Sequence, residues 1–421
     1  MQRIARLRGL MADAGLDAMV LTHPHDVMYS TGYESVLERW TQQEPMSAAI
    51  VPLSEDEPVI LSLPEANIGL LAVLEELGRP DRAQELRVFD LLVFCEVTRA
   101  ADPYAKASAL GEEFVRHYGE RVRGACAPDI VASVADALRD HGLASGRIGF
   151  DDLRMGYELR RQHGDLSFDV IDGLHTMMQS RIVKTEPELE TFRRVGKVAD
   201  QCLAAASAAL RPGVTWDEVQ YDVADAMTRL DAIPVDEGAM LFGGAFAGEF
   251  IPELFRTRYD RPLEEGQIVI LETQGTYEGF WIDINRTATI GPPSQEYQEL
   301  HDTLRDAFLK MVDHMKPGNS TGDLPLIAHD HLRDQGFPTP QKLLVVCHGI
   351  GHMPLEYPHP FPSQGLRGNE GFTIEKDMVL SLDCLYFGSY IGPCHMENVF
   401  ILEDGGAVST YETPLELQGP R

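Results

Sequence analysis

The sequence has few of the features that mark secreted or membrane-bound proteins. Its first residues, Met-Gln-Arg-Ile-Ala-Arg-Leu-Arg, predict an amphipathic helix and contain no apolar core of a signal peptide. No apolar run approaches the length needed to cross a bilayer. The six cysteines include no Cys-x-x-Cys spacing and are typical of reduced, buried thiols. We therefore expect a cytoplasmic protein without a membrane partner.

Positive charge is also scarce, since 36 Lys and Arg residues stand against 66 Asp and Glu residues, for a net charge of −30. A surface of this sign repels phosphate backbones and anionic lipids, so nucleic acid is not an expected partner. The acidic excess does not identify a substrate, because strongly acidic surfaces commonly serve solubility alone.

The length of 421 residues exceeds what one ordinary core holds and predicts two domains. Up to about residue 175, apolar runs suited to buried strands alternate with helical patterns such as 130–141. These runs predict an α/β domain with strands at 17–22, 48–51, 59–63 and 147–150. A helix-capping box at Thr185-Glu-Pro-Glu188 marks a change of character, and we expect domains at 1–178 and 179–421.

The second half contains a faint repeat. Arg211-Pro-Gly and Lys316-Pro-Gly each follow a long amphipathic helix and precede another helix that begins at Ser or Thr. Pro-Gly turns are common, so coincidence is the alternative explanation. A true duplication would make this domain two α+β halves related by approximate twofold symmetry.

Acidic residues recur in pairs on predicted hairpins in both halves. If the first turn is centred on Tyr277 and Glu278, Glu272 lies opposite Asp283 on one face of the hairpin. Asp383 and Glu397 take near-opposing positions on a second hairpin near the C-terminus. Paired carboxylates repel each other unless a cation lies between them, so the pairs indicate a divalent metal site.

Histidines lie between the two acidic pairs, in His348-Gly-Ile-Gly-His352 and at His359. A lone histidine is more often structural, but three within twelve residues beside four acids favour a metal site. One imidazole and four carboxylates suit two ions such as Mn²⁺, Co²⁺, Zn²⁺ or Fe²⁺ rather than a structural zinc site.

This order of acids and histidines resembles that of the creatinase, prolidase and aminopeptidase P superfamily. Ala18-Met-Val-Leu-Thr and the Tyr-Ser-Thr-Gly-Tyr turn ending at Tyr33 also look like the opening of that family's N-terminal domain. The resemblance implies a "pita-bread" catalytic domain, a homodimer and a metallohydrolase acting on a small molecule or short peptide. It implies cleavage of an Xaa-Pro peptide or another small amide by a metal-bridging hydroxide.

The resemblance also implies roles for individual residues. The metal ligands would be Glu272, Asp283, His352, Asp383 and Glu397, and Asp383 would also move a proton. Contacts to the substrate would come from His348, His359 and His395, the first two also being catalytic.

Three departures from the family pattern bear on the substrate. Glu272 stands where the family usually has Asp, and Asp383 stands where it usually has Glu. Phe255 replaces a usual histidine, and His395 replaces a usual arginine. A creatinase-like hydrolase or a lyase on the same fold is therefore the first alternative to a peptidase. A catalytically inactive binding protein is the second, although no ligand-type residue is lost outright.

Overall fold

The computed structural model describes residues 2–34, 44–76, 78, 81–91, 118–235, 238–246, 260–358, 371–386 and 391–419. The chain forms two compact units, Met1–Ser180 and Arg181–Arg421. The boundary predicted after residue 178 falls inside the last helix of the first unit, Leu174–Ser180. No helix in the described ranges is both long enough and apolar enough to span a bilayer.

The N-terminal unit is a mixed sheet with helices on both faces. Its strands follow the order β4-β3-β2-β1-β5-β6, with β1 antiparallel to β2 and parallel to β5. The strands predicted at 48–51, 59–63 and 147–150 correspond to β2, β3 and β5. The elements are α1 (Gln2–Ala14), β1 (Ala18–Leu21), α2 (Pro24–Thr31), β2 (Ala48–Pro52), β3 (Ile60–Pro64), α3 (Ile68–Glu76), β4 (Glu85–Phe89), α4 (Ile130–Asp140), β5 (Arg147–Phe150), α5 (Leu153–Gln162), β6 (Asp169–Asp172) and α6 (Leu174–Ser180).

Strand β1 is apolar throughout because both faces of the sheet are covered. Met19 packs in one core with Met11 of α1, whereas Val20 packs in a second core with Leu138 of α4. A strand buried on both faces needs apolar residues at every position, which is why the sequence reads as a continuous run.

The second unit is built from two halves of matching design. The central sheet has the order β12-β13-β14-β11-β10-β7, and the halves meet where β11 pairs with β14. Each half supplies two helices and three strands of this path. The elements are α7 (Glu186–Ala209), α8 (Trp216–Arg229), β7 (Ala232–Pro234), β8 (Met240–Leu241), β9 (Gly244–Ala245), β10 (Ile268–Tyr277), β11 (Phe280–Thr289), α9 (Gln295–His314), α10 (Leu324–Asp334), β12 (Leu343–Gly349), β13 (Val379–Tyr386), β14 (Cys394–Glu403) and β15 (Gly406–Ser409).

The Pro-Gly turns occupy equivalent places in the two halves. Gly213 lies between α7 and α8 with φ 85°, and Gly318 lies between α9 and α10 with φ 95°. Both glycines adopt the left-handed region, which costs a residue without a Cβ little. The capping box predicted at the start of α7 is present, since Glu188 Oε2 accepts from the Thr185 amide at 2.7 Å.

The β10–β11 hairpin has a different register from the one predicted. Its two-residue turn is Glu278-Gly279, with φ of 50° and 77°, the conformation of a tight hairpin turn with both central residues left-handed. Glu272 therefore lies opposite Asn285, and Asp283 lies opposite Gln274. The predicted pairing of Glu272 with Asp283 is wrong, but the error is an even number of residues. An even shift leaves side chains on the same face, so both acids still point to one side.

Candidate metal centre

Four strands align polar side chains in one row across the central sheet. Glu272 of β10 lies opposite Asn285 of β11, which lies opposite Glu397 of β14, which lies opposite Asp383 of β13. Asp283 is two residues from Asn285 and so shares the face of this row. The two predicted acidic pairs therefore form one cluster where the two halves of the domain meet.

Two histidines complete the cluster. His348 Nε2 lies 3.3 Å from Asp383 Oδ2 and 4.0 Å from Asp283 Oδ2. His395 Nε2 lies 3.0 Å from Asp383 Oδ1, and its Nδ1 lies 3.7 Å from Glu272 Oε2. Two groups of three residues could each hold an ion, because the ligand atoms within each group lie within 4.8 Å of one another. The groups are Asp283/His348/Glu397 and Asp383/His395/Glu397. Glu397 belongs to both groups.

Burial makes the negative charge of the cluster costly. Burial and then the Asp383 carboxylate raise the pKa of Glu272 to about 7 against the opposing effect of His395. Burial and the charges of Glu272 and Asp383 raise the pKa of Asp283 well above its usual range, despite the nearby His348. The pKa of Glu397 is also well above its usual range because of burial and the other acids. Without a bound cation, these three buried carboxyl groups therefore resist ionisation.

Asp383 is the exception among the four acids. Burial opposes its charge, but hydrogen bonds from His348 and His395 outweigh burial and lower the pKa of Asp383. Burial likewise works against the charged His348 imidazole, yet the bond to Asp383 raises the pKa of His348 to about 9. Asp383 is therefore an ionised carboxylate between two imidazoles.

The donor set fits divalent cations. Glu397 Oε1 accepts from Ser381 Oγ at 2.6 Å, whereas its Oε2 is buried without a hydrogen-bond partner among the described residues. Asn285 Oδ1 is a second buried oxygen without a partner in the same ranges. Buried oxygens of this kind normally find a donor or a metal. A divalent ion would satisfy them and offset the repulsion between the acids.

His352 does not join either group of ligand atoms within the described ranges. It follows the end of β12, and its Nδ1 donates to the Gly279 carbonyl at 2.9 Å while its ring lies against Phe280, with centroids 4.4 Å apart. His348 lies within β12 and opposite Ser381, on the face that carries the acids. The sequence predicts His352 as a metal ligand and His348 as a substrate contact. In the structure, the imidazole that lies among the acids is that of His348.

The other two predicted substrate contacts, His359 and His395, differ in what the structure describes. His359 and Phe255 lie outside the described residues, so their predicted places are not described. His395, predicted to contact the substrate, lies inside the acidic cluster. Arg286 of β11 donates to the backbone carbonyls of Asn285 and Glu397, each at 2.7 Å.

Two polar residues on the same face, Gln274 and Asn285, were not predicted from the sequence. Gln274 Nε2 donates to Glu272 Oε1 at 2.8 Å and to Asp283 Oδ1 at 3.3 Å, so this amide holds two of the acids. Asn285 donates to Glu272 Oε2 at 3.3 Å. Their signal in the sequence was the period of two that they share with the acids on β10 and β11.

A buried ion cluster fixes the segment that follows β12. Glu356 bonds to Arg181, and Lys184 Nζ donates to its Oε2 at 3.3 Å; all three side chains are buried. Burial alone would raise the pKa of Glu356, but Arg181 and Lys184 outweigh it and lower that pKa well below its usual range. The Glu356 amide also donates to the Gly349 carbonyl at 2.9 Å, which ties the end of β12 to this cluster.

We expect Glu356→Gln to destabilise the second unit by about 3–5 kcal/mol, because two buried cations lose their counter-charge. Urea unfolding followed by circular dichroism would measure this. Glu186→Gln is a matched control, because Glu186 pairs with Arg193 at an exposed site and should contribute less than about 1 kcal/mol. Equal unfolding midpoints for the two variants would contradict the assigned role of Glu356.

Comparison with known proteins agrees with this architecture. Residues 3–79 match the creatinase/prolidase N-terminal domain. The chain is 27% identical over 418 residues to the probable dipeptidase PepE of Mycobacterium tuberculosis, covering 99% of this chain and 95% of that protein. It is 20% identical over 417 residues to the uncharacterized peptidase YqhT of Bacillus subtilis, covering 99% of each.

Solved structures share the fold across both units. An Xaa-Pro dipeptidase from Bacillus anthracis aligns with a TM-score of 0.73 at 18% identity, covering 99% of both chains. An X-Pro aminopeptidase from Thermotoga maritima aligns with a TM-score of 0.71 at 17% identity, also covering 99% of both. Residues 190–407, more than half of the chain, match metallopeptidase family M24. The resemblance inferred from the sequence is confirmed: this chain belongs to metallopeptidase family M24 and, with it, to the creatinase, prolidase and aminopeptidase P superfamily.

Proposed function

We propose that this enzyme hydrolyses an Xaa-Pro peptide or another small amide with two divalent ions. The observation that carries the proposal is the buried row of acids, in which Glu397 is shared by two groups of potential ligands. The names of the dipeptidase relatives support a peptide substrate. The proposed ligands are Glu272, Asp283, His348, Asp383 and Glu397, with His348 replacing His352 on the geometry described above.

The residues of the chain divide the work of such a reaction. Bound Mn²⁺, Co²⁺, Zn²⁺ or Fe²⁺ would supply a water of lowered pKa and polarise the substrate carbonyl. Gln274 and Asn285 hold Glu272 in position through amide hydrogen bonds. Asp383, oriented by two imidazoles, is the proposed carrier of a proton. The proposed contacts to the substrate are His359 and His352, whose Nδ1 donates to the Gly279 carbonyl at the hairpin turn.

A substrate panel tests the proposed function. Protein of measured metal content would be assayed on Xaa-Pro dipeptides, longer Xaa-Pro peptides and creatine-like compounds, with each candidate metal added. We expect weak turnover of simple dipeptides, because the changed lengths of Glu272 and Asp383 shift the ligand atoms, and a displacement of about 1 Å can cost on the order of a hundredfold in rate. Metal-loaded protein that hydrolyses no amide in the panel would refute the peptidase proposal.

The same panel decides the expected ranking of substrates. A kcat/KM of about 10⁴ M⁻¹s⁻¹ or more on an Xaa-Pro dipeptide would show that the changed residues are harmless. Preferential turnover of a creatine-like compound would favour the alternative, a non-peptidase hydrolase or lyase acting on a small metabolite. The observation that supports this alternative is that His395, which replaces a usual arginine of the family, lies inside the acidic cluster.

We also propose that the enzyme is a homodimer, as the family resemblance implies. Light scattering at micromolar concentration should then give a mass near twice the chain mass of 46.8 kDa. A monomeric mass under the same conditions would refute this proposal.

A further inference from the structure

Both the backbone and the side chain of His395 are held in place by neighbouring residues. Its amide donates to Thr287 Oγ1 at 2.9 Å, and Thr287 Oγ1 donates in turn to the His395 carbonyl at 2.8 Å. The residue is 2% exposed, and Phe242 lies edge-on to its ring, with centroids 6.2 Å apart. The imidazole is therefore fixed at the cluster.

The two ring nitrogens of His395 have different surroundings. Nε2 faces Asp383 Oδ1 at 3.0 Å and donates to it. Nδ1 is buried without a hydrogen-bond partner among the described residues, 3.7 Å from Glu272 Oε2. A neutral imidazole that donates from Nε2 presents a lone pair at Nδ1. Glu272 Oε2 is too far from Nδ1 for a direct hydrogen bond.

A cation between Nδ1 and Glu272 Oε2 would contact both atoms. Metal–nitrogen and metal–oxygen distances of about 2.0–2.2 Å let one ion contact two atoms separated by up to about 4.2 Å. The gap of 3.7 Å between Nδ1 and Glu272 Oε2 lies within that reach. Hydrogen bonding from the other ring nitrogen to a carboxylate is the usual way in which a ligand histidine is oriented. Asp383 supplies that carboxylate here.

We propose that His395 is a metal ligand through Nδ1, additional to the five ligands of the proposed function on which this inference rests. The site would then have two imidazoles, His348 and His395, with its four carboxylates. A second nitrogen ligand favours Zn²⁺, Co²⁺ or Fe²⁺ over Mn²⁺, since imidazole suits the former ions and carboxylates suit the latter.

Two substitutions separate a ligand role from a hydrogen-bonding role. Asn in place of His395 keeps a polar atom near the position of Nδ1 but cannot reach Asp383 as Nε2 does. Gln in place of His395 keeps a donor near the position of Nε2 but has no acceptor at Nδ1. A ligand role predicts that His395→Gln loses more metal affinity than His395→Asn, whereas a donor role predicts the reverse.

The experiment uses the full chain loaded with Co²⁺. Its readouts are the Co²⁺ absorption spectrum, the metal stoichiometry and the Kd from chelator competition, none of which depends on turnover. We expect His395→Gln to raise the Kd of one ion at least about tenfold and to alter the spectrum, because even supporting residues around ligands contribute 10–100-fold. His301→Gln, at a buried histidine of α9, controls for the loss of a buried imidazole and should leave the spectrum unchanged.

The outcomes distinguish this inference from the proposed function. Wild-type protein that binds no metal contradicts the proposed function and this inference together. Loaded wild-type protein with an unchanged spectrum and Kd in both His395 variants contradicts the inference alone, as does a larger loss in His395→Asn. If circular dichroism shows that one variant is unfolded, the Co²⁺ spectrum of the other variant decides. A ligand role predicts a changed spectrum for His395→Gln and a spectrum of nearly unchanged intensity for His395→Asn.

Discussion

Asp283→Asn is expected to lower kcat at least about a hundredfold, which is the upper range for residues that merely support a ligand. Asn keeps the shape of the side chain and removes its charge, so it weakens a divalent site without changing the packing. The main chain at this position is held independently, since Tyr411 donates to the Asp283 carbonyl at 2.6 Å. The fold should therefore survive, and steady-state kinetics with metal analysis would measure the effect.

The metal-free protein gives a second readout for the same variant. Burial and the neighbouring acids hold the pKa of Asp283 well above its usual range, so its ionisation works against folding at neutral pH when no metal is bound. Asp283→Asn should thus make the metal-free protein at least as stable as the wild type, while the metal should stabilise the variant less. A residue needed only for packing would lower stability in both states.

A surface acid provides the control for this substitution. Asp225 on α8 is exposed and pairs with Arg229 four residues later, so Asp225→Asn should leave both kcat and metal content unchanged. Near-normal kcat in Asp283→Asn with its metal still bound would contradict the assigned role. Lost activity with unchanged metal content and affinity would count against a ligand role and favour a role in substrate contact.

The acids of the site could be predicted from the sequence because strand geometry is simple. Side chains two residues apart share a face, so Glu272, Asp283, Asp383 and Glu397 remain on one side whichever even register the hairpins adopt. The register itself depends on which residues accept a positive φ. The first residue of this turn is Glu278, and a non-glycine residue seldom adopts a positive φ. The sequence therefore does not single out this turn position.

The different places of the two histidines in the structure are harder to predict from the sequence. His348 and His352 both belong to the His-Gly-x-x-His segment, and their roles depend on where β12 ends. The strand ends at Gly349, so His348 keeps the alternation of the sheet while His352 lies in the following loop. Gly349 and Gly351 leave no room for a side chain, because a Cβ would meet the Tyr357 carbonyl at one and the Glu356 carboxylate at the other. This packing of loop against loop involves contacts that no periodic pattern encodes.

The fold was more accessible than the chemistry of the site. Strand β5 coincides with its predicted range and helix α4 ends one residue earlier than predicted, because apolar periodicity follows directly from burial on one or both faces. By contrast, His395 was assigned to substrate contact through its replacement of an arginine in the family pattern. Its position between Glu272 and Asp383 depends on three strands from both halves of the domain, β10, β13 and β14.

The two histidines of the His-Gly-x-x-His segment should differ sharply when each is replaced by alanine. His348→Ala removes the imidazole that lies 3.3 Å from Asp383 Oδ2, whereas His352→Ala removes one whose Nδ1 is bound to the Gly279 carbonyl. We expect His348→Ala to lose at least one metal ion per chain, or to raise its Kd by about a hundredfold or more. His352→Ala should keep its metal content and show its defect in kinetics.

Each variant serves as the control for the other, because both replace a buried imidazole in the same short segment. Elemental analysis after dialysis and calorimetric titration with Co²⁺ measure metal binding without requiring turnover. Folding is checked by the unfolding midpoint of the metal-free proteins, in which His348→Ala also removes a partner that lowers the pKa of Asp383. If His352→Ala loses the metal and His348→Ala keeps it, the ligand is His352, as the family resemblance implied, and the assignment made from the position of β12 is wrong.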